Sequence, residues 1–246
     1  MRIIISPAKK MKVDDDSLEF KNLPVFLEDT RQTMEWMKSL SMNEAKELWG
    51  CNEKIAKQNY ERFQNMNLTE GLTPAILAYE GIQYQYMAPA VFEEKMLAYV
   101  QEHLRILSGF YGVLKPMDGV TPYRLEMQAK TQIGDVEGLY DFWKEKLYDE
   151  LVDDSHIIIN LASKEYSRCI ESYLQPDDRF ITCIFGEMAN GKVVQKGTYA
   201  KMARGEMVRF MASRNINEAD GIKEFNMMGY KYKEELSTDT EYVFLK

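Results

Sequence analysis

Histidine and cysteine are scarce in this chain. Two histidines and three cysteines are spread over 246 residues, and no CxxC pair occurs. Cys51, Cys169 and Cys183 lie far apart, and their odd number argues against a disulfide framework. The same scarcity leaves no ligand set of ordinary spacing for iron or zinc, so neither a metal nor a cofactor is expected. Long apolar runs are missing too. Runs such as Ile157-Ile158-Ile159 are far too short to span a membrane. The opening Met1-Arg2-Ile3-Ile4-Ile5-Ser6-Pro7 lacks the length and cleavage site of a signal peptide. A reduced, cytoplasmic protein with no membrane partner is expected. Positive charge is also in deficit. The net charge of −8 argues against indiscriminate binding of nucleic acid.

The cations that are present are unevenly placed. Lys192 to Arg214 holds six basic residues and a single acid, Glu206. A basic patch on an acidic body suits a specific anionic ligand. Thr198 to Arg214 has helical spacing, with Ala200, Ala203, Met207, Phe210 and Met211 on its apolar face. Lys201, Arg204 and Arg209 are expected on roughly the opposite side, where they suit a phosphate backbone or simply solvent.

The chain is organised around Leu48-Trp49-Gly50-Cys51-Asn52-Glu53-Lys54-Ile55-Ala56. Val25 to Leu40 reads as a helix, and Asn43 to Leu48 as a short turn. Ile55, Tyr60, Phe63 and Met66 then make a second helical stripe. Gly50 stops the first helical segment, and Asn52 can cap the next. Such a turn aims free backbone N–H groups at one point and offers an anion site. Leu48, Gly50, Cys51, Lys54 and Ala56 resemble the helix-hairpin-helix motif of DNA repair proteins. Asn52 stands where that motif has its second glycine. An ordinary capped helical hairpin fits the same residues.

Arg2 to Ser6 and His156 to Leu161 are β-branched runs that read as buried strands of a parallel sheet. Each ends in small polar residues, and strand ends in such sheets face one edge. That places Ser6 and Lys9 near the Asn160–Ser163 junction, whose following helix begins with Ser163 and carries Tyr166 in its first turn. Thr73 to Tyr79 reads as a further strand. Pro89 to Leu107 and Leu139 to Leu151 read as helices. Leu107 to Met127 reads as a long shaped loop, in which Arg124 and Glu126 share a face if extended. Asn190-Gly191 joins Phe180–Phe185 to Lys192–Lys196 in a hairpin. Tyr230 to Lys233 and Glu241 to Lys246 read as closing strands. The acidic run Asp14-Asp15-Asp16 reads as a solvated loop rather than a metal site.

Several segments together resemble one family, the YaaA peroxide-stress proteins of bacteria. They are Ile5-Ser6-Pro7-Ala8-Lys9, His103 to Pro116, Thr121 to Met127, Leu139 to Trp143, Asn160 to Tyr166, Lys201 to Gly205, and Phe225-Asn226 with Gly229-Tyr230. The resemblance runs nearly end to end. It implies a single compact α/β domain over residues 1–246, with a mixed sheet flanked by helices. It also implies a helix-hairpin-helix element at about 43–66 beside a positive cleft. It further implies survival of hydrogen peroxide, restraint of free iron, and binding of double-stranded DNA.

Three functions compete. The first is a DNA-binding protein that limits oxidative damage and affects iron indirectly. Its phosphate contacts would come from Gly50, Asn52, Lys54 and Lys57, helped by Lys201, Arg204 and Arg209. The second is an enzyme acting on a nucleotide or a nucleic-acid base. It would use an anion pocket of Ser6, Lys9, Arg124, Asn160, Ser163 and Tyr166, with Glu126 as acid/base and Arg124 or Lys9 as phosphate partner. The third, direct metal handling, lacks ligands.

Overall fold

The structure, a computed structural model, describes residues 1–14 and 18–246. Asp15 and Asp16 of the acidic run lie outside the described residues. Strand β1 (Arg2–Ile5) sits at the middle of the main sheet, and Ile3, Ile4 and Ile5 are fully buried. It has parallel partners on both edges, β2 (Leu104–Ser108) and β4 (Ile157–Leu161). Strand β3 (Gly112–Leu114) folds back antiparallel on β2. Beyond β4 come β5 (Arg179–Ala189) and β8 (Glu241–Leu245), both parallel, and then β7 (Lys231–Tyr232), antiparallel. Strand β6 (Lys192–Val194) pairs with the far end of β5. The order is β7-β8-β5-β4-β1-β2-β3, a mixed sheet whose five inner strands run parallel. Such a sheet must be covered on both faces, which accounts for unbroken runs like Ile3-Ile4-Ile5.

Helices supply the cover. In chain order they include α1 (Leu27–Ser39), α2 (Met42–Trp49), α3 (Glu53–Gln64), α4 (Ile82–Met87) and α5 (Glu94–His103). The last two are α6 (Lys164–Glu171) and α7 (Gly197–Arg214). Long α7 packs on α4, α5 and β5. Among the described residues, no helix is long and apolar enough to cross a membrane.

Several elements differ from the sequence reading. Asn43 to Leu48 is not a turn but most of α2. Ser41 and Glu44 form a capping box, each bonding the other's backbone N–H, and this starts a helix where apolar periodicity is thin. Thr73 to Tyr79 is not a strand. Ala75–Ala78 makes one buried helical turn between short extended pairs. An apolar run this short fits either conformation. The helix expected over Pro89 to Leu107 stops at His103, and Leu104–Ser108 becomes a fully buried strand beside β1. The loop after it contains β3. Leu139 to Leu151 is two short helices, broken at Lys144 with φ 46°. The Asn190-Gly191 hairpin is as expected, with both residues at positive φ.

The expected hairpin between α2 and α3 has the turn chemistry read from the sequence. Gly50 takes the left-handed conformation, φ 52° and ψ 42°, and its N–H bonds the Glu47 carbonyl. Asn52 Oδ1 accepts from the Ile55 N–H at 3.0 Å. These bonds make a capped helical hairpin.

Candidate functional site

The parallel register sets the site. Arg2 pairs with Ile158 and Ile5 with Leu161, so β1 and β4 end side by side. Ser6 therefore meets Ser163. The Ser163 N–H donates to Ser6 Oγ at 2.8 Å, and the two hydroxyl oxygens are 3.2 Å apart. Ser163 is the residue before α6, yet its side chain does not cap that helix. The first-turn amides of α6 thus keep their partial positive charge at the cleft.

A cavity of about 520 Å³ opens over this edge. Ser6 and Lys9 line it from the turn after β1, Arg124 and Glu126 from the segment after β3, Ser163 and Tyr166 from the start of α6, and Lys201 and Arg204 from α7. Gly109 helps to place the 124–126 segment. A Cβ there would lie 2.7 Å from the Leu125 carbonyl oxygen, so only glycine lets that backbone lie so close. On the other wall, the Tyr84 hydroxyl donates to the Ser6 carbonyl at 3.0 Å. Behind it, Tyr123 shares hydroxyl contacts with Ser108 at 2.6 Å and Tyr79 at 2.9 Å. Burial pushes the Tyr123 hydroxyl up to about 12 and also raises that of Tyr166, so both stay protonated.

The charges converge as the sequence suggested, with two exceptions. Glu126 Oε1 lies 3.0 Å from Lys9 Nζ and 3.1 Å from Arg124 Nη2. Neither contact has hydrogen-bond geometry, and Arg124 Nε and Arg204 Nε are buried without a partner among the described residues. Arg124 is paired with Glu126 but still faces the same cavity as Ser6. Asn160, expected in the pocket, lies beneath it. It pairs with Thr182 across the sheet, and its Nδ2 donates to Thr182 Oγ1 at 3.2 Å. Its Oδ1 accepts from the Ala162 N–H at 2.9 Å, so it shapes the turn into α6. Arg209 is the second exception. Lys201, Arg204 and Arg209 do not share one face. Arg204 and Arg209 stand about 140° apart at helical spacing, and only Lys201 and Arg204 reach the cleft.

The hairpin borders a second cavity of about 650 Å³, reached by Leu48, Trp49 and Gly50. Lys9 and Glu126 line both cavities. Trp49 Nε1 donates to the Arg124 carbonyl at 2.6 Å, which ties the end of α2 to the cleft wall. Asn52, Lys54 and Lys57 are exposed and line neither cavity.

A family model for the peroxide stress protein YaaA matches residues 1–236. The chain belongs to this family. A UPF0246 protein of Agathobacter rectalis is 61% identical over 244 residues, 99% of this chain and 98% of the relative. One from Lachnoclostridium phytofermentans is 56% identical, covering all of this chain and 96% of the relative. One from Lactiplantibacillus plantarum is 47% identical, covering all of this chain and 99% of its own. The family's name fits a role in the oxidative stress response.

Two features escaped the sequence reading. Glu165, in the first turn of α6, also lines the cleft. Burial pushes its carboxyl above the usual carboxylate range and the Glu126 charge adds to this, while the Gln128 N–H opposes it. Its place right after the Ser163 junction was the available signal. His156, Asp177 and Asp178 also come together, with one ligand atom from each lying within 4.8 Å of the others. Asp178 there accepts from the Tyr148 hydroxyl and the Gln175 N–H, both at 2.7 Å, and lies 2.9 Å from His156 Nδ1. These bonds hold the turn before β5.

Proposed function

We propose that this protein binds double-stranded DNA through phosphate contacts in the sheet-end cleft, and so limits oxidative damage with an indirect effect on intracellular iron. One observation carries the reading. Cations from three distant segments, Lys9, Arg124, and Lys201 with Arg204, line a single cavity that the uncapped start of α6 also reaches. Buried arginines with a free Nε favour an anion that supplies the missing acceptor. The capped hairpin of α2 and α3, with Lys54 and Lys57, adds contacts at the rim in the manner of a helix-hairpin-helix. The acidic body makes binding strongly dependent on salt.

The test is a set of duplex-binding isotherms over a salt series. Lys201→Glu should weaken binding about tenfold and lower the salt slope by about 1 or more. Inorganic phosphate should raise the melting temperature of the wild type and not of this variant. Unchanged isotherms would remove the cleft from the interface.

A second reading, an enzyme acting on a nucleotide or base, is favoured by the two carboxyls in the cleft. Glu165 has the raised carboxyl that a general acid needs, whereas Glu126 is held between Lys9 and Arg124.

A further inference from the structure

We propose that the second cavity, beside the hairpin, receives an unpaired nucleobase whose phosphate occupies the cationic cleft. This rests on the phosphate reading above. The tryptophans point to it. Trp49 and Trp143 are buried at 4% and 1% exposure and packed on other rings. Trp36 is half-buried, lines the second cavity, and has no ring partner among the described residues. Leu40 and Leu48, also half-buried, continue the same apolar wall. Glu44, Glu47, Gln128 and Lys130 add polar side chains to the lining.

A flat ring face beside polar edge groups suits a planar ligand that stacks and hydrogen-bonds at its edge. Phosphate alone would leave that wall without a use. The two cavities meet at Lys9 and Glu126, so one nucleotide can reach both. The Trp49 N–H bond to the Arg124 carbonyl fixes the wall to the phosphate side, and so sets their spacing. Bases stacked inside a duplex cannot enter. The ligand is a free mononucleotide or an unpaired nucleotide within DNA.

Fluorescence and affinity measurements on the full chain test this. The probes are dAMP, inorganic phosphate, a perfect duplex, and the same duplex with one bulged adenine. In the wild type, dAMP should quench tryptophan emission and bind about tenfold more tightly than phosphate, the gain expected from stacking one base. Trp36→Leu should bring dAMP down to the phosphate level and leave phosphate affinity unchanged. Trp36→Phe should keep most of the gain. A preference for the bulged duplex identifies the DNA-borne nucleotide, and a gain for dAMP alone identifies the free one. If phosphate binds and dAMP binds no better, the base site is overturned while the cleft reading stands. If neither phosphate nor duplex binds, both fall.

Discussion

Helices α6 and α3 each begin after a small polar residue, Ser163 and Asn52. Both present backbone N–H groups beside lysines. At α3 the Asn52 side chain fills one of those groups itself. At α6 the Ser163 side chain does not cap, and the Ser163 N–H is spent on Ser6 across the sheet. Their charges differ more. Residues 42–64 carry four acids and four bases, with Lys46 at 3.9 Å from Glu53 and Lys57 at 4.0 Å from Glu61. Exposed pairs of that kind contribute little and are screened by salt. In the cleft, Arg124 is 12% exposed, and Arg124 and Arg204 each keep a buried Nε without a partner among the described residues. Similar backbone turns therefore differ in worth. An anion gains most where the donors are already desolvated and one of them lacks an acceptor.

The largest blow to the cleft should come from a residue outside it. Gly205 lies where α7 crosses α4. A Cβ there would fall 2.1 Å from the Gln83 carbonyl oxygen and 2.9 Å from the Met87 nitrogen. Both are backbone atoms, so the helices must move apart. Gly205→Ala should cost about 3 kcal/mol, or about 10 °C in melting temperature. Because α7 carries Lys201 and Arg204, phosphate protection should fall with it, while the α2–α3 hairpin stays formed. A variant that melts like the wild type would show that this crossing does not position the cleft.

The turn into α3 was legible in the sequence because its signals are local, whereas α2 before it read as a turn. Gly50, Asn52 and the stripe from Ile55 to Met66 lie within one short stretch. β1, β4 and the Asn190-Gly191 turn were legible for the same reason. The ends of two parallel strands also placed Ser6 beside Ser163, since sheet geometry makes that neighbourhood general. What could not be read was direction. Asn160 has the right chemistry for the pocket but pairs sideways with Thr182. Arg204 and Arg209 were placed on one face, although five residues of helix set them about 140° apart. Leu104–Leu107 was absorbed into a helix because an apolar run beside a helix end carries no period of its own.

A smaller effect separates the hairpin from the cleft. Asn52→Ala removes the α3 cap and should cost about 1 kcal/mol, with no change in phosphate protection. Lys54→Ala, at an exposed site, should leave stability unchanged and lower the salt slope of duplex binding by about 1. Loss of phosphate protection in either variant would join the two regions into one anion site and erase the contrast drawn above.

The smallest effect concerns pH. The Glu165 carboxyl is raised by burial and by Glu126, so folding favours its protonated form. The sign follows from linkage. For an acid raised on folding, the ionised form is a cost at neutral pH, and stability rises as pH falls through the raised value. The same protonation removes a negative charge from the cleft wall. Duplex binding should therefore strengthen about two- to threefold as pH falls from 7 to 5, a modest change because Glu165 is partly solvated. Phosphodiesters do not titrate in this range, so the protein is the source of any change. Glu165→Gln should bind more tightly than the wild type at pH 7 and should lose part of the pH response. The hairpin offers a control, since Lys54→Ala should keep the full pH response. A wild-type affinity that does not move between pH 7 and 5 would take Glu165 out of the anion site.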